Sequence, residues 1–168
     1  MRLRARARQR KGSFSGFVFA LLVACLTTGF SGSVRADDTA RPVFPSSHLV
    51  IERPGLAPVA FRVEVATTAR QHSYGLMFTP KVPPHTGMLF VFTTDQVRQF
   101  WMKNTPVSLD ILFFDQSGLL VSQIAHTTPF SETLLVSAGP ARYVLEIAGG
   151  EAARLAIGAG ARLKWPRP

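Results

Sequence analysis

Residues 99–115 read QFWMKNTPVSLDILFFD, which puts an ammonium, an amide, a hydroxyl and a carboxylate inside one of the most apolar parts of the chain. Lys103 and Asp110 could form an ion pair, hold a polar ligand, or place an anion beside a general base. Trp101 would add a flat apolar surface. In extended geometry Trp101, Lys103 and Thr105 share one face, and Asp110, Leu112 and Phe114 share a face of the next strand. If those two strands pair, Lys103 and Asp110 meet beside the indole. The pairing is motivated, because a lysine buried without a partner is strongly disfavoured or loses its proton. Asn104 and Thr105 precede Pro106, at a strand end where binding groups are often presented. The structural alternative is that Lys103 runs along Trp101 with its ammonium in water, while Asn104 and Thr105 bond local backbone.

Other chemistry is sparse. His48, His72, His85 and His126 are far apart, without HxH or HExxH spacing, and read as surface or turn residues. Met77, Met88 and Met102 stand among Leu and Phe and read as core filler. There is no GxSxG, P-loop or GxGxxG pattern. No metal and no cofactor is expected, and no reaction is fixed.

Period-two patterning supplies the elements that must position these groups. Candidate strands are residues 48–53, 60–66, 87–92, 97–103, 109–115, 119–125, 141–148 and 162–165, with 93–96 joining the third and fourth. Thr67 or Thr68 would cap a short helix over 69–74, ended by Gly75, and a second short helix fits 151–157. Asp115–Gly118 reads as a hairpin turn. Helices long enough for a doubly wound sheet are missing, so the fold class is mainly β, a compact, mostly antiparallel barrel or sandwich with one or two short helices.

The formal charge of +9 suggests nucleic acid until its distribution is considered. Seven of the 19 basic residues and no acid lie in residues 1–36; residues 37–168 hold 12 basic and 10 acidic residues. The near-balanced remainder argues against nucleic-acid binding. The leader has the three parts of a secretory signal: a basic start to Lys11, the apolar run Gly16–Phe30, and SGSVRA. Val34 and Ala36 fit the −3 and −1 positions of a cut before Asp37. The apolar run is short for a membrane span, which needs about 20 residues. A competing site is Leu22-Val23-Ala24-Cys25, which resembles a bacterial lipobox with Cys25 lipidated. The expected organisation is a signal peptide over 1–36, a flexible arm over 37–47 and one β-rich domain over 48–168. The expected location is periplasmic or secreted, with membrane attachment only through Cys25.

The ordered motifs GLMF (75–78), GMLFVF (87–92), FWMKNT (100–105), LDILFFD (109–115) and YVLEIAGG (143–150) resemble the prokaryotic domain of unknown function 192 family, small and often exported. The resemblance covers about residues 60–164 and implies a small β-rich fold without an established reaction. Thr79 stands where that family usually has Arg, and Gly160-Ala161 where it commonly has Gly-Asp. The site residues that match are Lys103, Asn104, Thr105, Asp110 and Glu146, to which the reading above adds Trp101. Three functions fit. The first is binding of a small molecule, glycan or envelope protein at these residues. The second is hydrolysis with Asp110 or Glu146 as base and Lys103 holding an anion. The third is a structural role in the envelope.

Overall fold

The computed structural model describes residues 40–166. Its strands are β1 (Ser46–Arg53), β2 (Leu56–Ala66), β3 (Thr86–Phe100), β4 (Leu109–Phe114), β5 (Leu120–Ile124), β6 (Leu135–Ala148) and β7 (Arg162–Lys164). Helix α1 (Ala69–Tyr74) lies between β2 and β3, and α2 (Glu151–Arg154) between β6 and β7. The sheet order is β5-β4-β6-β3-β2-β1-β7. Only β2 and β3 are parallel, and α1 with the proline-rich loop supplies their crossover. The two ends of the sheet approach one another: Leu120 N–H donates to Ala161 O, and Leu163 N–H to Gly118 O. The result is a curled half-barrel, mostly antiparallel, with the two short helices expected.

Over residues 87–90, 143–147 and 109–114, the central strands β3, β6 and β4 are buried on both faces. One face gives Leu89, Leu112, Phe114, Leu145 and Ile147 to a core shared with β1, β2 and β7. The other gives Met88, Phe90, Ile111, Phe113 and Val144 to a second core, covered by Phe44, Leu76 and Met102. A polar side chain within 87–90, 109–114 or 143–147, where the trio is covered on both faces, is therefore buried and must be hydrogen-bonded or neutral.

Three expectations change. The segments over 87–92 and 97–103 form one strand, β3, whose register against β6 is interrupted between Val91 and Gln96 and again between Val97 and Gln99. Those irregularities absorb Thr93–Gln96 without a loop. The arm over 37–47 is tied down from Arg41 onward: Arg41 pairs with Glu64, Val43 O accepts from Gln71 Nε2, and Phe44 is buried. Its last two residues already belong to β1. The proposed pairing of the strand carrying Lys103 with the strand carrying Asp110 does not occur, because β6 lies between β3 and β4.

Candidate functional site

Glu146 is the centre of the site. In β6 it stands opposite Met88 of β3 on one side and Ile111 of β4 on the other. It is 4% exposed. Its Oε2 has no hydrogen-bond partner. Burial raises its pKa from 4.5 to about 8, so the carboxyl is mostly protonated at neutral pH.

Above Glu146 lies a cavity of about 30 Å³, floored by Phe90 and Glu146 and walled by Phe100, Trp101, Lys103 and Thr105. The C-terminal end of α1 forms its remaining side. Thr68 and Gln71 make a reciprocal capping box at the start of this helix, which fixes where it begins. Gly75 ends it at φ +51°, and an added Cβ there would stand 3.2 Å from Phe90 Cζ and 4.0 Å from Glu146 Oε2. A side chain at position 75 would therefore be strained and would press on the Phe90 ring, reaching the carboxyl at contact distance.

The mouth is built from residues after β3. Strand alternation stops at Phe100, so the expected common face of Trp101, Lys103 and Thr105 does not apply. The turn nevertheless brings all three to one cavity. Thr105 is buried; its N–H donates to Met102 O, and its hydroxyl donates to Lys103 O at 3.2 Å. Trp101 is 43% exposed. Lys103 Nζ lies 5.1 Å from the Trp101 ring centroid and 3.9 Å from Glu132 Oε2. Both partners of that ion pair are exposed, so the ammonium is loosely held.

Asn104 adopts φ +54°, which its side chain tolerates better than most. Its carbonyl accepts from Phe78 N–H, and its Nδ2 faces Met77 Sδ at 3.9 Å. Phe78 and Phe130 also have positive φ, +60° and +59°, which is costly for aromatic residues. Phe130 N–H is held by Thr105 O. Three left-handed non-glycine residues are thus linked through the 104–105 backbone, next in sequence or by hydrogen bond to the cavity-lining Met77, Lys103 and Thr105. Such strain accumulates where geometry is constrained by more than folding.

Asp110 is elsewhere. It shares its face of β4 with Leu112 and Phe114, on the side of the sheet opposite Glu146. Its carboxylate accepts three backbone N–H bonds at 2.9 Å, from His126, Gly150 and Ala152. Two of these donors belong to the start of α2, so Asp110 fastens that helix to β4. Lys103 and Asp110 form no pair. The cavity unites Trp101, Lys103, Thr105 and Glu146, and leaves out Asn104 and Asp110. The proposed cut between Ala36 and Asp37 and the proposed lipidation at Cys25 lie outside the described residues.

Sequence reasoning missed His72, expected at a surface or turn. It lines the cavity, its Nε2 lies 3.0 Å from Ala66 O, and its ring is 4.4 Å from that of Phe92. Burial, opposed by bonds to backbone carbonyls, lowers its pKa, so it is uncharged at neutral pH. Its position in the final turn of α1 was legible; which face of α1 met the sheet was not. Among the described residues, no three His, Cys, Asp or Glu side chains converge as a metal site.

A family model matches residues 50–165, which takes in both the cavity and the Asp110 fastening. The chain belongs to the DUF192 family. That family is described only as "Uncharacterized ACR". Two solved structures share the fold. One is a candidate transcription regulator from Sinorhizobium meliloti, with 30% identity and a TM-score of 0.72, covering 75% of this chain and 98% of that one. The other is a protein of unknown function from Novosphingobium aromaticivorans, with 33% identity and a TM-score of 0.69, covering 76% and 95%. No curated protein matches the chain. Within this DUF192 domain, Ala161 is fully buried and bonds through its carbonyl to Leu120 N–H at the closure of the sheet. Thr79 lines a separate groove of about 290 Å³ with Arg62 and Lys81.

Proposed function

We propose that this protein is an exported β-domain that binds a small molecule through the Glu146 cavity, with Trp101 and Lys103 at the entrance. The observation that carries the reading is a buried carboxyl, Glu146, that lines a cavity and has an oxygen, Oε2, without a protein partner. Asp95 Oδ1 and Glu151 Oε2 also lack partners, but Glu151 is anchored through Oε1 by His85 N–H and Arg154, whereas Glu146 borders a cavity, where an unsatisfied desolvated oxygen is costly. A ligand group that completes this bond recovers that cost. The cavity of about 30 Å³ has room for roughly two water-sized groups. It therefore suits one small polar end of a ligand, whose body would rest on Trp101. A sugar ring or a protein segment would have to remain outside.

Export follows from the leader, with cleavage between Ala36 and Asp37 and lipidation at Cys25 as the alternative. The Sinorhizobium meliloti relative suggests transcription, but the balanced charge of residues 37–168 argues for a different partner. Hydrolysis is the second reading, and Glu146 favours it, since a carboxyl protonated at neutral pH is equipped as a general acid. Asp110 would have no part, being engaged by three amides.

The test is an NMR screen of the isotope-labelled protein against a library of small polar fragments. Binding at the cavity should move the amide signals of Gly75, Lys103 and Thr105 together. Shifts confined to other surfaces, or none at all, would remove the cavity as a binding site. N-terminal sequencing of the exported protein should begin at Asp37; a lipid-linked Cys25 would replace soluble export with a membrane anchor.

A further inference from the structure

The chemistry of the cavity selects among ligands, provided that it is a binding site as proposed above. Its one formal charge at neutral pH is the Lys103 ammonium. His72 is uncharged and Glu146 is mostly protonated. Glu132 lies beyond Lys103, as the outer partner of a loose pair, and is itself largely exposed. An entering ammonium would meet Lys103 and would have to displace the proton of Glu146. An entering anion would meet a cation and a hydrogen-bond donor. The space fits too, since a carboxylate presents two oxygens of about the size of water molecules.

The surroundings of the mouth are apolar. Trp101, which lines the cavity, and Phe78, whose ring lies 6.0 Å from that of the lining Tyr74, are exposed by 43% and 62%. The backbones of Phe78 and Phe130 are bonded to residues 104 and 105, at the entrance itself. Exposed aromatic side chains grouped beside a polar cavity are a contact surface for the apolar part of a ligand.

We infer that the cavity takes the carboxylate of a small monocarboxylic acid with an apolar body, to which the Glu146 carboxyl donates a hydrogen bond and Lys103 supplies the counter-charge. The donation is a charge-assisted O–H···O⁻ bond, stronger than one between neutral groups. It also makes recognition depend on pH. The titratable groups that share the cavity with Glu146 are His72 and Tyr74 from α1 and Lys103 from the loop after β3; Met88 and Ile111, its neighbours in β3 and β4, carry none. Raising the pH through about 8 ionises Glu146, removes the donor and sets two carboxylates against each other.

The experiment is calorimetric titration of the protein with octanoate at pH 6.5 and pH 9, with octanol and octylamine as probes of matched chain length. Octanoate should bind more tightly than either, and its affinity should fall by roughly tenfold at pH 9, where about a tenth of Glu146 keeps its proton. Glu146→Gln retains a donor at every pH and should abolish that fall while still binding. Lys103→Ala should weaken octanoate at both pH values and leave octanol unchanged. Tighter binding of octylamine, an unchanged affinity at pH 9, or a pH dependence that survives Glu146→Gln would overturn the carboxylate assignment. If only octanol or octylamine binds and moves the Gly75 and Thr105 signals, the binding site stands and the ligand class fails. If none of the three binds, the ligand class fails, and the fragment screen decides the site separately.

Discussion

Two buried carboxyl groups, Asp110 and Glu146, lie on adjacent strands and face opposite sides of the same sheet. Asp110 is fully buried and accepts three backbone hydrogen bonds. Glu146 is almost as deeply buried and has an oxygen with no partner. The first has found, in the start of α2 and in His126, the donors that water would have provided. The second has aromatic rings, two aliphatic neighbours and a cavity. Desolvation acts on both, but only Glu146 lacks the bonds that would offset it. The difference marks Asp110 as part of the framework and leaves Glu146 as the group on which the proposed binding rests.

The sharpest way to break this comparison is Asp110→Ala. It strands three buried amide donors and detaches α2, and should destabilise the protein by about 4 kcal/mol. The expected loss in melting temperature is about 10 °C or more. A variant as stable as the parent would show that Asp110 does not fasten the helix.

Glu146→Gln should behave in the opposite way. The folded protein holds the Glu146 proton up to about pH 8, whereas the unfolded chain releases it near 4.5. Between those values the unfolded state binds fewer protons, so stability from this group is present at low pH and declines as pH rises. The slope is at most about 1.4 kcal/mol per pH unit. Denaturant unfolding of the two proteins should agree most closely near pH 5, with the glutamine variant gaining relative to the parent up to pH 8–9. Parallel profiles would mean that Glu146 ionises normally in the fold.

The smallest effect is expected for Lys103→Ala. The ion pair with Glu132 is loose and exposed, and removing it should cost less than about 0.5 kcal/mol. A large loss of stability would place Lys103 in the framework beside Asp110 and take it from the mouth of the cavity.

Much of the fold was legible in the residues. Alternation in AFRVEVA and ARYVLEIA, the Asp115–Gly118 turn and the helix over 69–74 all appear as expected. Asp115 Oδ1 closes that turn by accepting from the N–H groups of Ser117 and Leu119. Neighbour relations were not legible. Period-two patterning sorts the faces of a strand but does not tell which strand lies beside it. β6 enters between β3 and β4 from about 30 residues downstream, which separates Lys103 from Asp110. A signal for Glu146 did exist. In YVLEIA, Tyr143, Leu145 and Ile147 fill one face, and Val144 is apolar on the other, as in a strand covered on both sides. A glutamate on such a strand cannot reach water. Its partnerless state depended on which loops closed over it, and those are set by the 104–105 backbone bonds.

The most direct measurement is a ¹³C NMR titration of the Glu146 side-chain carboxyl, assigned by comparison with Glu146→Gln. The account predicts a midpoint near pH 8, well separated from the exposed glutamates. A midpoint between pH 4 and 5 would mean that Glu146 is solvated or paired in solution, and the cavity would lose the donor on which its proposed chemistry depends.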